Sequence, residues 1–397
     1  MSMSHHKQSN LESSGIRVML VDDQAMIGEA VRRMLAAEDD IDYRYCDNPL
    51  EAIETARSWK PTVILQDLVM PEIDGLDLVR DYRADEATAL VPIVVLSSRE
   101  EATTKAEAFA RGANDYLVKL PDPVEIIARI RHHSDGYIAR LQRDHAYVAI
   151  EENEAHLREE LSKAAAYVQS LLPVPMKDTV KTNWRFIPSV SLGGDAFGYH
   201  WLDEDRLALF LLDVCGHGVG PALLSITAMN VISKQSLPNV EFSDPGAVLS
   251  ALNNHFQMDD HQGMFFTIWY GVYDKKKRTL EWSGGGHPPA VLMNPDSQEP
   301  VLLESDGPMI GAVKDLQFGT FSCEAAPESR LVLYSDGIYE IKKPDGSLWT
   351  LGEFVEVVSH QPCQDGSSVD AIIGSVRAIS GQELFEDDCS VVEFTFS

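Results

Sequence analysis

The chain reads as a doubly wound α/β unit, then a helical coiled-coil-like linker, then an α+β layered unit. Three observations predict this. Continuous apolar runs alternate with amphipathic stretches from Ile16 to Arg131, the pattern of a parallel sheet covered on both faces. A proline-free stretch rich in Glu, Ala, Arg and Leu, with Gly136 its one glycine, fills 132–172. After Trp184 strand-like runs dominate, with helical interludes set apart from them, as in layered α+β domains.

Taken in order, 1–15 (MSMSHHKQSNLESSG) is polar and lacks an apolar core, so a disordered tail is expected rather than an export signal. Strands are expected at 16–21 (IRVMLV), 61–66 (PTVILQ), 92–97 (PIVVLS) and 115–120 (DYLVKL), with helices at Met26–Ala37, Pro49–Ser58, Asp74–Tyr82, Lys105–Arg111 and Pro123–His132. These make up a domain over 16–131. In 132–172, Ile138, Leu141, Val148, Leu157, Leu161, Ala164, Val168 and Leu171 follow 3/4 spacing with one slip in register. That reads as one long helix or two joined helices with a coiled-coil-like seam, either a passive linker or a dimerising or signal-carrying element, which Pro173 and Pro175 end. In 173–397, strands are expected at 206–214, 265–274, 279–285, 330–336 and 389–396, and helices at Pro221–Gln235, Pro245–Phe256, Leu351–His360 and Ser367–Ile379.

Composition excludes several function classes. Acidic residues outnumber basic ones 62 to 33, a formal net charge of −29. Such a chain repels phosphate backbones and anionic bilayers, which argues against nucleic-acid or membrane binding. No apolar run approaches the ~18 residues that span a bilayer. The five cysteines (Cys46, Cys215, Cys323, Cys363, Cys389) are dispersed and odd in number, as expected of reduced thiols in a cytoplasm.

Two carboxylate centres carry the chemistry. In the first, Asp22, Asp23 and Asp67 fall at strand ends, where α/β sheets bind ligands. Asp22 and Asp23 suit a Mg²⁺ ion, leaving Asp67 free to attack a phosphoryl group. Ser97 is placed to hydrogen-bond the resulting phosphate and Lys119 to neutralise it. The stretches VDD (21–23), LQDLVMPEIDG (65–75), PIVVLSS (92–98) and GANDYLVKLP (112–121) resemble the response-regulator receiver domain. The resemblance implies a five-stranded parallel sheet, Asp67 as phosphoacceptor, Ser97 and Tyr116 as the switch pair, and Val69 lending its carbonyl to the metal. It also implies a sensor histidine kinase as partner. Leu120 stands between Lys119 and Pro121, where most receivers join Lys to Pro directly; receivers of WspR-type diguanylate cyclases share this form. No GGEEF-like stretch follows, so a cyclase output is excluded.

The second centre comprises Asp195 in SLGGDAFGY, Asp213 in LALFLLDVCGHG, Asp336 in RLVLYSDGIYE and Asp387 in ELFEDDCSVVEF. Hydrolysis of a phosphate ester needs activated water and neutralised phosphoryl charge, and two cations about 3.5–4 Å apart supply both if a carboxylate bridges them. Asp213 ends the most apolar strand and suits the bridge; Asp195, in a GGD turn, would serve one ion, and Asp336 with Asp387 the other. AYVQSLLPVP, LGGDAFGY, LLDVCGHGVGPALLS, DPGAVLSALNNHF, WSGGGHPPAVL, GPMIGA, LVLYSDGIYE and EDDCSVV together resemble the PPM-type serine/threonine phosphatases of the SpoIIE/RsbU branch. The resemblance implies two Mn²⁺ or Mg²⁺ ions, with Asp213 bridging, Asp195 and the Val214 carbonyl on one and Asp336 and Asp387 on the other. Asp388 is the alternative to Asp387. The implied substrate is a phosphorylated anti-sigma-factor antagonist. Gly198 stands where many relatives carry a second acid, so an outer contact or third metal is expected to be lost.

Other residues admit plainer readings. His217 is either the general acid for the leaving serine oxygen or a packing residue of the turn between Gly216 and Gly218. His287, with prolines behind it and no acid nearby, reads as a structural turn residue. Lys275–Arg278 reads as a hairpin tip, and Cys215 as a small buried residue. A phosphorylation-switched adaptor without catalysis is the competing function, but an unmetallated carboxylate cluster repels itself and would be expected to erode.

Overall fold

The computed structural model describes residues 15–71, 73–98, 101–189, 192–295, 297, 299–360, 368–381 and 385–397. The expected tail and Cys363 lie outside these. The chain divides into two units, Met1–Ala155 and His156–Ser397.

The first unit runs β1 (Ile16–Val21), α1 (Ala25–Leu35), β2 (Ile41–Cys46), α2 (Ala52–Trp59), β3 (Val63–Asp67), α3 (Gly75–Ala84), β4 (Ile93–Ser97), α4 (Ala102–Ala110), β5 (Asp115–Val118) and α5 (Pro123–Ser170). Its five strands pair in parallel in the order β2-β1-β3-β4-β5. Central strands β3 and β4 are buried at every residue, which is why they read as unbroken apolar runs. Strand β2 (IDYRYC) escapes the sequence reading because it is an edge strand, with buried ends and polar residues between them. Helix α5 is one uninterrupted element, and the boundary between the units falls inside it.

The second unit contains β6 (Val180–Ile187), β7 (Asp195–Trp201), β8 (Arg206–Val214), α6 (Val219–Ser233), α7 (Pro245–His255), β9 (Phe266–Asp274), β10 (Thr279–Gly285), β11 (Ala290–Met293), β12 (Val301–Leu303), β13 (Phe321–Glu324), β14 (Arg330–Tyr334), α8 (Leu351–His360), α9 (Ser368–Ser380) and β15 (Cys389–Phe396). Two antiparallel five-stranded sheets form, β13-β10-β9-β8-β7 and β12-β11-β14-β15-β6. Aromatic pairs knit them face to face: Tyr199 meets Phe394 edge-on at 5.5 Å between ring centres, and Tyr273 stacks on Phe396 at 4.1 Å. Helices α6 and α7 cover the outer face of the first sheet, and α8 and α9 that of the second. The expected hairpin tip at Lys275–Arg278 joins β9 to β10.

The pleat bears on one expectation. Gly198 lies three positions after Asp195 on β7, so a side chain there would point away from the Asp195 face. A Cβ on Gly198 would lie 2.5 Å from the ring of Phe210, its register partner on β8, which is fully buried. Glycine at this position makes room for Phe210, which gives it a packing role. Gly198→Asp should therefore destabilise the protein by about 3 kcal/mol or more, through overpacking and a buried charge. Thermal or urea unfolding measures this, and a variant as stable as the parent with tighter metal binding would restore the original expectation.

Candidate functional site

In the first unit, β1 delivers Asp22 and Asp23, and β3 ends on Asp67. Among the described residues, only these three acids bring an oxygen each within 4.8 Å of one another. Asp22 and Asp67 are buried, and the Oδ1 of Asp23 is buried without a hydrogen-bond partner. Lys119 reaches across from the end of β5, with Nζ 2.9 Å from Asp22 Oδ2 and 2.8 Å from Asp67 Oδ2. Burial pulls the Lys119 ammonium down, but the Asp67 and Asp22 carboxylates more than offset this and hold it above its usual value. Burial raises the Asp67 carboxyl, with the Lys119 contact opposing in part. A buried unpartnered carboxylate oxygen beside two further acids fits a small hard cation.

Local backbone packs tightly behind this cluster. The amide of Gly75 donates to the Leu68 carbonyl at 3.0 Å, and a Cβ on Gly75 would stand 2.0 Å from the Asp67 carbonyl oxygen. Only glycine lets α3 start so close to the residue that carries the chemistry. Val69 is exposed, while Ser97 and Tyr116 are buried. Gln24, Val69, Ser97 and Lys119 are among the residues lining a cleft of about 990 Å³ beside the acids. Leu120, the additional residue before Pro121, takes a left-handed backbone (φ 56°) and is half exposed.

In the second unit, Asp195 and Asp213 are direct partners across the β7–β8 ladder. Asp195 is thus the first residue of a strand, not part of a turn as the GGD motif suggested. Opposed residues on antiparallel strands share a face with Cβ atoms about 4.5–5.5 Å apart, so the two carboxylates are forced together. Both Asp195 oxygens are buried with no hydrogen bond of good geometry, although the Ser390 and Ser335 hydroxyls lie close enough to favour the charged form. Burial, then repulsion from Asp213, raises its carboxyl well above the usual range. Burial and then the charge of Asp336 push Asp213 up to about 7, with Asp387 and Asp388 adding to the effect. Asp336 follows the end of β14, where burial and the neighbouring Glu340 raise it.

The Asp387–Asp388 pair divides its labour. Asp388 Oδ1 accepts from the Ser189 amide at 2.8 Å and hydroxyl at 3.0 Å, and Oδ2 accepts from the Gly194 amide at 2.6 Å. Protein donors thus occupy the carboxylate that stood as the alternative ligand. Exposed Asp387 accepts from the amide of its neighbour Asp388 at 2.8 Å. A Cβ on Gly194 would come within 2.5 Å of the Val214 carbonyl oxygen, so the double glycine lets β7 begin against the end of β8. No three acids of this unit close to the spacing of the first cluster among the described residues. The donor set nonetheless fits cations: buried oxygens on Asp195 that make no hydrogen bond of good geometry, and carboxyls whose raised proton affinity comes from burial and from one another.

His217 is exposed between Gly216 (φ 85°) and Gly218 (φ 100°), and Gly218 leads into α6. Cys215 is partly exposed; it and the three other described cysteines are free thiols. His287 is buried, with Nδ1 2.9 Å from the Thr267 hydroxyl. Sequence reasoning missed two neighbours of the site. Glu340 was legible from its place four residues after Asp336. Thr267 was not, because its proximity depends on the β8–β9 register, which sets it opposite Asp213.

Comparison with known proteins agrees with this geometry. Residues 18–131 match the response regulator receiver domain family, and residues 203–397 match the family of stage II sporulation protein E (SpoIIE). The chain joins a receiver domain to a SpoIIE-type domain. Phosphoserine phosphatase RsbP of Bacillus subtilis is 30% identical over 188 residues, 46% of this chain and 46% of that protein. Phosphoserine phosphatase RsbU of the same organism is 26% identical over 60% of this chain and 71% of its own length. This chain therefore spans about half of one curated relative and more of the other. The SiaA-PP2C domain of Pseudomonas aeruginosa superposes with a TM-score of 0.54 at 18% identity, covering 62% of this chain and 99% of that domain, which establishes the PPM fold of the second unit. Among the described residues of this receiver–SpoIIE protein, no helix is long and apolar enough to cross a membrane.

The raised carboxyls make a pH prediction. Asp213 moves from 3.8 to about 7 on folding without a cation, so the folded state holds the extra proton in that window. Stability of the metal-free protein should therefore fall as pH rises from about 4 to about 7. Thermal unfolding in EDTA measures it. Asp213→Asn should flatten the decline, and saturating Mn²⁺ should abolish it; a midpoint that climbs with pH in EDTA would contradict the carboxylate clustering.

Proposed function

We propose that this protein is a two-component response regulator whose output is a metal-dependent serine/threonine phosphatase. The observation that carries the reading is the pairing of Asp195 with Asp213 across β7–β8, with both Asp195 oxygens buried and making no hydrogen bond of good geometry. Like charges buried this close are tolerated when a cation neutralises them. Mn²⁺ or Mg²⁺ would be held by Asp195, Asp213 and the Val214 carbonyl on one side and by Asp213, Asp336 and Asp387 on the other. A bound pair of such ions supplies charge neutralisation for the phosphoryl group and an activated water.

The chain's own residues do the rest. Asp388 holds the Gly194 amide and so sets where Asp195 begins its strand. Asp213 faces Asp195 across the β7–β8 ladder and feels the charges of Asp336 and Asp387, which supports reading it as the bridge. His217, exposed on a glycine-flanked turn three residues past Val214, is the group available to protonate the leaving serine oxygen.

In the receiver, a sensor histidine kinase would phosphorylate Asp67, with one Mg²⁺ on Asp22, Asp23, Asp67 and the Val69 carbonyl. Lys119 would then move its contact from the Asp67 carboxylate to the phosphoryl group, and Ser97 and Tyr116 would register the change. The substrate class we infer is a phosphoserine anti-sigma-factor antagonist in the cytoplasm, in keeping with the phosphoserine phosphatases RsbP and RsbU among its relatives. Exposed apolar residues along α5, including Tyr147, Val148, Ile150, Leu157 and Leu161, suit a homodimer through the linker.

With Mn²⁺ present, the protein should hydrolyse p-nitrophenyl phosphate, and Asp213→Asn should lower kcat by a factor of about 1,000 or more while remaining folded. Hydrolysis at equal rates by parent and variant would remove the assignment. Asp67→Ala should keep basal turnover yet lose any response to acetyl phosphate. An unchanged response in that variant would mean that control lies elsewhere.

A further inference from the structure

His287 is buried at the junction of the two sheets, and the mechanism proposed for the phosphatase leaves it without a role. It follows Gly286, whose left-handed backbone (φ 69°) turns the chain out of β10 and whose amide donates to the Gly307 carbonyl at 2.7 Å. Two prolines stiffen the exit, and the second is pinned because Tyr334 donates its hydroxyl to the Pro289 carbonyl at 2.7 Å. The ring is therefore held from both ends of its loop.

Its surroundings link the two halves of the metal-ligand set. On one side Nδ1 lies 2.9 Å from the hydroxyl of Thr267, which is the register partner of Asp213 on the adjoining strand. On the other side the backbone of Tyr334 lies close enough to favour the protonated ring, although burial outweighs this and holds the imidazole neutral, down at about 3. Nε2 itself is buried and makes no hydrogen bond of good geometry. Tyr334 ends β14, two residues before Asp336. Thr267 belongs to the sheet that carries Asp195 and Asp213, and Tyr334 to the sheet that leads to Asp336 and Asp387.

We propose that His287 is a positioning residue, a strut between the sheets that acts through Thr267 to fix Asp213 at its working distance from Asp336. The proposal rests on the phosphatase reading. A neutral ring suits such a strut, because it bonds Thr267 on one side while its loop is tied to Tyr334 on the other, and it adds no positive charge to a site that must attract cations. Outer-shell partners of metal ligands typically contribute about 10–100-fold to metal affinity.

The experiment is calorimetric titration of Mn²⁺ into the metal-free full-length chain, paired with kcat and KM for p-nitrophenyl phosphate. His287→Leu and Thr267→Val should each weaken Mn²⁺ binding about tenfold or more. The double variant should be no weaker than the worse single one, because both break the same connection. His287→Asn, whose amide reaches the Thr267 hydroxyl, should recover most of the affinity, and KM should stay within about twofold once metal saturates. Undiminished Mn²⁺ affinity in folded Thr267→Val overturns the proposal, as do additive losses in the double variant or failure of Asn to rescue. Thr267→Val removes one hydroxyl and keeps the shape of the side chain, so it decides the matter even if His287→Leu does not fold. If the parent chain binds no Mn²⁺ at all, the phosphatase reading fails first and the strut with it.

Discussion

Repulsion between carboxylates at strand ends is the constraint around which both units are arranged. Asp195 and Asp213 are brought side by side by a hydrogen-bonded ladder that neither can leave, and burial removes the water that would screen them. Asp22 and Asp67 face the same difficulty but have Lys119 between them, an internal counter-ion with no equivalent at the second cluster among the described residues. This difference separates their proposed roles. Lys119 partly offsets the receiver acids at rest and would respond by moving onto a phosphoryl group, whereas the second cluster would be complete only with cations in place.

The glycines around each site serve this crowding. Gly75 brings α3 against the Asp67 carbonyl, and Gly194 brings the start of β7 against that of Val214. At Gly193 a Cβ would fall 2.7 Å from the Asp388 carboxylate. Each removes a side chain where two backbone segments, or a backbone and an acid, must touch. Strand ends and the short turns beside them then hold the acids, which favours a fixed geometry for hard cations.

Much of this was legible in the sequence because buried strands announce themselves. β1, β3, β4, β8 and β15 are apolar runs, and the acids at their ends follow from reading where each run stops. The edge strand β2 was hidden by its polar middle, and short strands such as β12 offered too few residues for a pattern. Position relative to a neighbouring strand was the other blind spot. The resemblance implied that an acid at Gly198 would serve an outer contact or third metal, while the pleat turns that position toward Phe210. Thr267 and His287 could not be assigned because their significance lies in a register and an inter-sheet contact, neither of which is local in sequence.

Asp388 carries a consequence beyond its own hydrogen bonds. It sits beside a proposed ligand, shares its chemistry, and spends both oxygens on the Ser189 and Gly194 segment. A homologue that had exchanged this residue for alanine would still display all four acids proposed as ligands. Its strand β7 would nonetheless lose the anchor that sets its first residue, so the protein would pass inspection as an intact enzyme while being silent in the cell. Judging pseudoenzymes in this family by their ligand roster alone will count such chains on the wrong side.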